Sequence, residues 1–231
     1  LIKVMNFDTI IQCRFHSTRL PGKILLPLDK NQTSLDILIK NLKLIKEIDR
    51  IILAVPNDDY SSTFKKISKR HNIHIYAPKC KTENVLKRFY LTSKKFNSKN
   101  IIRITSDCPF INIHMVRQMI NFYKKNDINF LTNNKPRRVP HGFDCEIFSI
   151  KLLKKTYLNA KSSFDKEHVT QWIYKNYFIN KNNIILLKKN SSNIRITLDT
   201  FNDYIKFIKN INILKKISKS KDFIKFLKIL K

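Results

Sequence analysis

The sequence predicts an α/β fold, a three-layer α/β/α arrangement around a mainly parallel but mixed sheet. Two observations predict it. Short apolar runs bounded by polar turns alternate with segments of helical apolar spacing along nearly the whole chain. The first run, residues 9–13, is short and apolar enough for a strand buried on both faces, as central parallel strands are. The 231 residues suffice for one substantial core, and no internal repeat or linker divides them, so a single domain over 1–231 is expected.

Taken in order, residues 34–45 have helical spacing with Thr33 or Ser34 as N-cap, and residues 50–55 read as a second buried strand ended by Pro56. A helix over 60–70 and a short strand over 73–76 follow. The helix over 82–96 has Thr82 as its cap and Glu83 near the positive end of its dipole. Residues 101–105 form a strand running into Ser106-Asp107-Cys108-Pro109, 113–125 a helix, and 129–132 an extended segment. A basic loop over 136–142 leads into the alternating run 143–150. Helices over 151–159 and 166–177, strands over 184–187 and 194–198, and two amphipathic C-terminal helices complete the pattern.

The formal net charge of +29 invites a nucleic-acid reading, which the distribution opposes. The lysines spread along helical faces without interleaved aromatic stacking platforms, as when an AT-rich genome writes Lys wherever a solvated polar residue will do. No specific nucleic-acid partner is expected. No apolar run reaches the roughly 18 residues of a membrane helix, and the N-terminal residues lack signal-peptide features. Cys13, Cys80, Cys108 and Cys145 show no metal-ligand spacing and read as reduced thiols of a cytoplasmic protein. Against this background Gly22 and Gly142, the two glycines, stand out in RLPGK and PHGFD, as backbone positions needing positive φ or close approach. Among the arginines, Arg14, Arg19, Arg88, Arg103 and Arg195 lie in or beside candidate site segments; Arg50, Arg70, Arg117, Arg137 and Arg138 do not.

The chemistry gathers where strands end. The first strand empties into Arg14, His16, Ser17, Thr18, Arg19 and Lys23, with Pro21-Gly22 turning just before the lysine. Backbone N–H groups, hydroxyls and cations at the carboxyl edge of a sheet make a phosphate site. Asp107 closes IIRITSD and Asp199 closes IRITLD, so the pair is placed to hold Mg²⁺ against a triphosphate. Capping the next helix is the competing role for Asp199. Asp144 and Glu146 are expected on one strand face, to position a sugar hydroxyl or a second metal, or simply as a part-exposed face. His168, beside Glu167, is read as structural or functional on a helix.

These residues carry a resemblance. IIQCRFHSTRLPGK is similar to the signature of the cytidylyltransferases related to the CMP-KDO and CMP-sialic acid synthetases, the nearest branch being the SpsF-like spore-coat polysaccharide proteins. It continues in ENVLKRFY, RITSDCPFI, HGFDCEIFS, EHVTQWI and RITLDTFNDYIKFI, over nearly the full chain in the same order. The resemblance implies a nucleotide-diphospho-sugar transferase-like fold. It implies transfer of CMP from CTP to an acidic sugar, such as a nonulosonic acid or KDO, with release of pyrophosphate, for a surface polysaccharide or glycan. It implies Arg14, Ser17, Arg19 and Lys23 as the CTP-phosphate loop, Arg88 near the nucleotide, and Asp107 and Asp199 as Mg²⁺ ligands. Catalysis is then expected from Lys23, Asp107 and Arg14, and a homodimer is implied as well.

The chain departs from that pattern at His16, Cys80 and Ser106, where the family usually has glycine, and at His141, often Asp. The side chain of His16 is expected to crowd the approach of the phosphates. Phe201 and Asn202 replace the usual Pro and Glu, while Asp203 is kept. The alternatives are a nucleotide-sugar-dependent glycosyltransferase, for which SDCP is not the usual DxD metal motif, a non-catalytic relative, and a basic nucleic-acid-binding protein.

Overall fold

The computed structural model describes residues 5–180 and 183–230. Strand β1 (Phe7–Gln12) is followed by a two-stranded hairpin, β2 (Pro27–Asp29) and β3 (Gln32–Thr33), which the apolar pattern does not reveal. Then come α1 (Ser34–Lys43), β4 (Arg50–Ala54), α2 (Ser61–Arg70), β5 (His74–Tyr76), α3 (Val85–Lys95), β6 (Asn100–Thr105) and α4 (Ile113–Lys125). The second half holds β7 (Phe130–Thr132), β8 (Glu146–Ser149), α5 (Ile150–Asn159), α6 (Ser163–Glu167), α7 (Gln171–Asn176), α8 (Phe201–Lys209), α9 (Ile211–Lys219) and α10 (Ile224–Leu227).

The main sheet runs β5-β4-β1-β6-β8-β7. β1 pairs in parallel with β4 and β6, β4 pairs in parallel with β5, and β8 runs antiparallel between β6 and β7. The pleat sends alternate side chains to opposite faces. Ile11, Leu53, Ile104 and Ile147 pack under α1, α2 and α4, while Ile10, Ile52, Ile101 and Phe148 pack under α3, α5 and α7. This is the mostly parallel α/β sheet with two helical layers that the alternation predicts. A third cluster joins α8, α9 and α10 to Phe110, Phe143, Ile196 and Leu198, and so fastens residues 194–198 beside the end of β6. Among the described residues no helix is long and apolar enough to cross a membrane.

Several boundaries differ from the sequence pattern for local reasons. Thr33 caps α1 through a capping box with Asp36. Asn84, not Thr82, caps α3, its side chain accepting from the Lys87 N–H at 3.0 Å. The run 143–150 becomes strand only from Glu146. Before it, Asn133 stands in for a ladder partner, accepting from the Cys145 N–H at 2.9 Å and donating to the Phe143 carbonyl at 2.8 Å. The expected helix over 166–177 breaks between α6 and α7 because Val169 takes φ 52°, outside the helical region. Residues 184–187 and 194–198 are not ladder strands; each makes a single bridge, Thr132 to Ile184 and His141 to Arg195. The expected C-terminal pair of helices has a third, α10, beyond it.

Candidate active site

The basic loop closes on itself before it reaches the sheet edge. The Gly22 N–H donates to the Phe15 carbonyl at 3.0 Å, and Gly22 at φ 68° turns the chain into a short 3₁₀ segment, Lys23–Leu25. That turn delivers the Lys23 ammonium to two carboxylates, 3.1 Å from Asp107 Oδ2 and 2.7 Å from Asp199 Oδ1. Asp107 lies just beyond the end of β6. Asp199 ends the extended segment 194–198, whose Leu198 N–H donates to the Asp107 carbonyl at 2.9 Å. Thr200, not Asp199, is the N-cap of α8, paired in a capping box with Asp203. The carboxylate of Asp199 is therefore not used as a cap.

Gly142 sets the path of the 194–199 segment. The His141 N–H donates to the Ile194 carbonyl at 2.9 Å and the Ile196 N–H to the His141 carbonyl at 2.7 Å. A Cβ on Gly142, at φ 104°, would lie 2.2 Å from the Ile196 carbonyl oxygen. Both glycines thus sit where the backbone requires them.

Two adjoining chambers open at this edge. The smaller, ≈ 180 Å³, is lined by Arg14, Ser17, Thr18, Arg19 and Lys23 from the loop and by Ser106, Asp107 and Asp199 opposite. The larger, ≈ 400 Å³, shares Thr105, Asp107 and Asp199 and extends past Arg103, Asp144, Glu146 and His168. Of the residues expected to bind phosphate or metal, Arg14, Ser17, Arg19, Lys23, Asp107 and Asp199 line the smaller chamber and Arg88 does not. Arg88 is fully buried on α3, donates through Nη2 to the Thr82 carbonyl and lies beside the Cys13 and Cys80 thiols. His16, where a side chain was expected to crowd the phosphates, is exposed and outside the lining, its ring edge-on to Tyr60 at 5.1 Å.

Charge is concentrated on Asp199. Burial alone would raise its carboxyl, but Lys23, Arg19 (3.0 Å) and Arg195 hold it below the usual carboxylate range. Arg14 reaches instead toward Glu167, at 3.8 Å. In the larger chamber Glu146 is buried and accepts from Arg103 Nη1 at 2.6 Å and from the Thr170 hydroxyl at 2.9 Å. Asp144, which precedes β8, pairs with Arg137 at 2.5 Å. Arg137 is a correction to the sequence reading, which set it apart from the site segments; it lines the chamber. Thr170 and Tyr174 were also missed, although Thr170 stands in EHVT. All four cysteines are free thiols.

A basic loop after β1 meets two aspartates at one edge of a six-stranded α/β sheet, the edge where open sheets of this class bind their ligands. The model of the cytidylyltransferase family matches residues 9–230, and the chain belongs to that family. It is 30% identical over 204 residues to the uncharacterised protein MJ1063 of Methanocaldococcus jannaschii, covering 87% of this chain and 81% of that one. It is 28% identical over 204 residues to the spore coat polysaccharide biosynthesis protein SpsF of Bacillus subtilis, covering 84% and 82%. Among solved structures, a cytidylyltransferase from Leptospira borgpetersenii superposes with TM-score 0.85 at 25% identity, over 98% of this chain and 94% of that one. A CMP:2-keto-3-deoxy-manno-octonic acid synthetase complexed with CTP shares the fold at TM-score 0.66 and 13% identity, over 90% and 98%. Within the family, this chain is SpsF-like.

Proposed function

We propose that the chain transfers CMP from CTP to a hydroxyl of an acidic sugar, in the making of a surface polysaccharide or glycan. The acceptor oxygen bonds to the α-phosphorus, the bond from that phosphorus to the bridging oxygen breaks, and pyrophosphate leaves with one proton released. The observation that carries this reading is Lys23 between Asp107 and Asp199, at the mouth of a loop bearing Arg14, Ser17 and Arg19.

Arg14, Ser17, Arg19 and Lys23 bind the triphosphate, and Arg14 and Lys23 stabilise the charge that develops on the departing pyrophosphate. Arg88 is a positioning residue, buried next to Cys13 and Cys80 rather than touching phosphate. The donor set at the chamber edge fits a hard divalent cation. Asp107 and Asp199 present carboxylate oxygens to one ammonium, and Mg²⁺ is commonly held by one or two carboxylates completed by substrate phosphates and water. Held by Asp107 and Asp199, Mg²⁺ would supply charge neutralisation on the phosphates.

A pyrophosphate-release screen of CTP, UTP, ATP and GTP against a panel of acidic sugars tests the reading. Release is expected with CTP alone and with a subset of the acids. Release that needs no sugar, or that prefers another nucleotide, contradicts it.

A further inference from the structure

Four cationic side chains line the larger chamber, and three of them are neutralised. Arg103 is paired with Glu146 at 2.6 Å and Arg137 with Asp144 at 2.5 Å, and Arg195 is bound to Asp199. Lys135 differs. Its Nζ stands 4.6 Å from the centroid of the Tyr174 ring, and among the described residues it pairs with no carboxylate. A cation held on an aromatic face keeps its full charge and its N–H donors for another partner. The face is itself fixed, because the Tyr174 hydroxyl lies 2.5 Å from Glu146 Oε1 and 2.7 Å from Asn134 Oδ1.

A second donor sits on the same turn. Arg137 spends Nη2 on Asp144, but its buried Nη1 has no hydrogen-bond partner among the described residues. A buried, unpaired guanidinium N–H is costly, and a shift of the part-exposed Arg137 side chain toward an incoming anion would satisfy it. The turn is closed by the bridge between Asn134 and Arg137, and both Lys135 and Arg137 line the chamber. The carboxylates of that wall, Asp144 and Glu146, are already engaged.

We propose that Lys135, with Arg137 Nη1, forms the subsite that receives the anionic group of the acceptor, so that Lys135 sets the preference for charged over neutral acceptors. This rests on the acceptor reading given above. Lys135 acts by binding; it takes no part in the displacement at phosphorus.

The test is steady-state pyrophosphate release with three acceptor classes. These are N-acetylneuraminic acid and 3-deoxy-manno-octulosonic acid, the carboxamides of both, and sugar phosphates. Each is assayed with the unaltered chain, Lys135→Met and Lys135→Arg. The unaltered chain should prefer the acids over their carboxamides. Lys135→Met should raise the KM for the acids about tenfold, nearly erase that preference, and leave the calorimetric Kd for CTP unchanged. Lys135→Arg should restore most of the discrimination. If the acids turn over and Lys135→Met discriminates as well as the unaltered chain, the subsite is wrong while the acidic-sugar reading stands. If sugar phosphates alone turn over, with the same dependence on Lys135, the subsite stands and the acidic-sugar reading falls. Turnover confined to the carboxamides or other neutral sugars, or turnover of none of the three classes, overturns both.

Discussion

Lys23 Nζ lies 2.7 Å from Asp199 Oδ1, joining residues 176 positions apart in the chain. The same ammonium touches Asp107, so one lysine offsets the repulsion of two carboxylates that would otherwise face each other. On the proposed function, triphosphate and carboxylates compete for the same cation. Lys23→Ala should weaken CTP binding by about tenfold or more, the scale of a hydrogen bond to a charged group. Calorimetric titration checks this, with a thermal melt to confirm that the fold is kept. Equal CTP affinities would remove Lys23 from the site.

Asp199 and Thr200 separate chemistry from capping. Asp199→Asn should abolish divalent-dependent turnover. Thr200→Ala removes the α8 cap and should cost about 1 kcal/mol of stability while leaving turnover nearly intact. Paired melts and pyrophosphate assays distinguish them. Similar losses in both variants would mean that α8, rather than the carboxylate, is what the site needs.

Much of the candidate site was legible because the ends of short apolar runs are. IIRITSD and IRITLD place Asp107 and Asp199 at chain segments that emerge at one edge, and the loop before Lys23 announces its own charge. The fold was legible from alternation, with apolar runs such as 50–55 too short for helices. Other features were hidden because nonlocal contacts decide them. Residues 194–198 read as a strand yet bond to His141 and Asp107 rather than to a ladder. The break at Val169, at φ 52°, stands beside Thr170, whose hydroxyl donates to the buried Glu146 from a distant part of the chain. Arg137 carries no local signal, since only the fold brings it to Asp144 and the chamber.

Gly142 should tolerate no side chain. The alanine Cβ would meet the Ile196 carbonyl oxygen at 2.2 Å and the Thr197 nitrogen at 3.3 Å, with φ at 104°. Gly142→Ala is expected to cost about 2 kcal/mol or more and to shift the segment that carries Asp199. Gly22→Ala should be milder, since its nearest contact is the Phe15 ring at 3.1 Å. Chemical denaturation of the two variants ranks them; a larger loss at Gly22 would contradict the packing described.

Acid stability should depend on Asp36. Burial would raise its carboxyl, but bonds from His71, Thr33 and Arg70 outweigh that and hold it at about 2, against an ordinary 3.8. A lowered folded value means the contribution is complete above the unfolded pKa and is lost as pH falls from about 4 toward 2. Asp36→Asn should therefore be less stable than the unaltered chain at neutral pH, with the gap closing across that window. Melting temperatures from pH 7 to pH 2 check this, and a gap independent of pH would contradict the assignment.

On the proposed function, this edge moves the α-phosphate of CTP onto a sugar. The direct measurement is the fate of CTP radiolabelled at the α-phosphorus, incubated with Mg²⁺, the protein and an acidic sugar that supports pyrophosphate release. The label is predicted in a new CMP–sugar conjugate, with unlabelled pyrophosphate formed in equal amount and neither product made by Asp107→Asn. Label recovered as free CMP, or as unchanged CTP with every acceptor, would contradict the account.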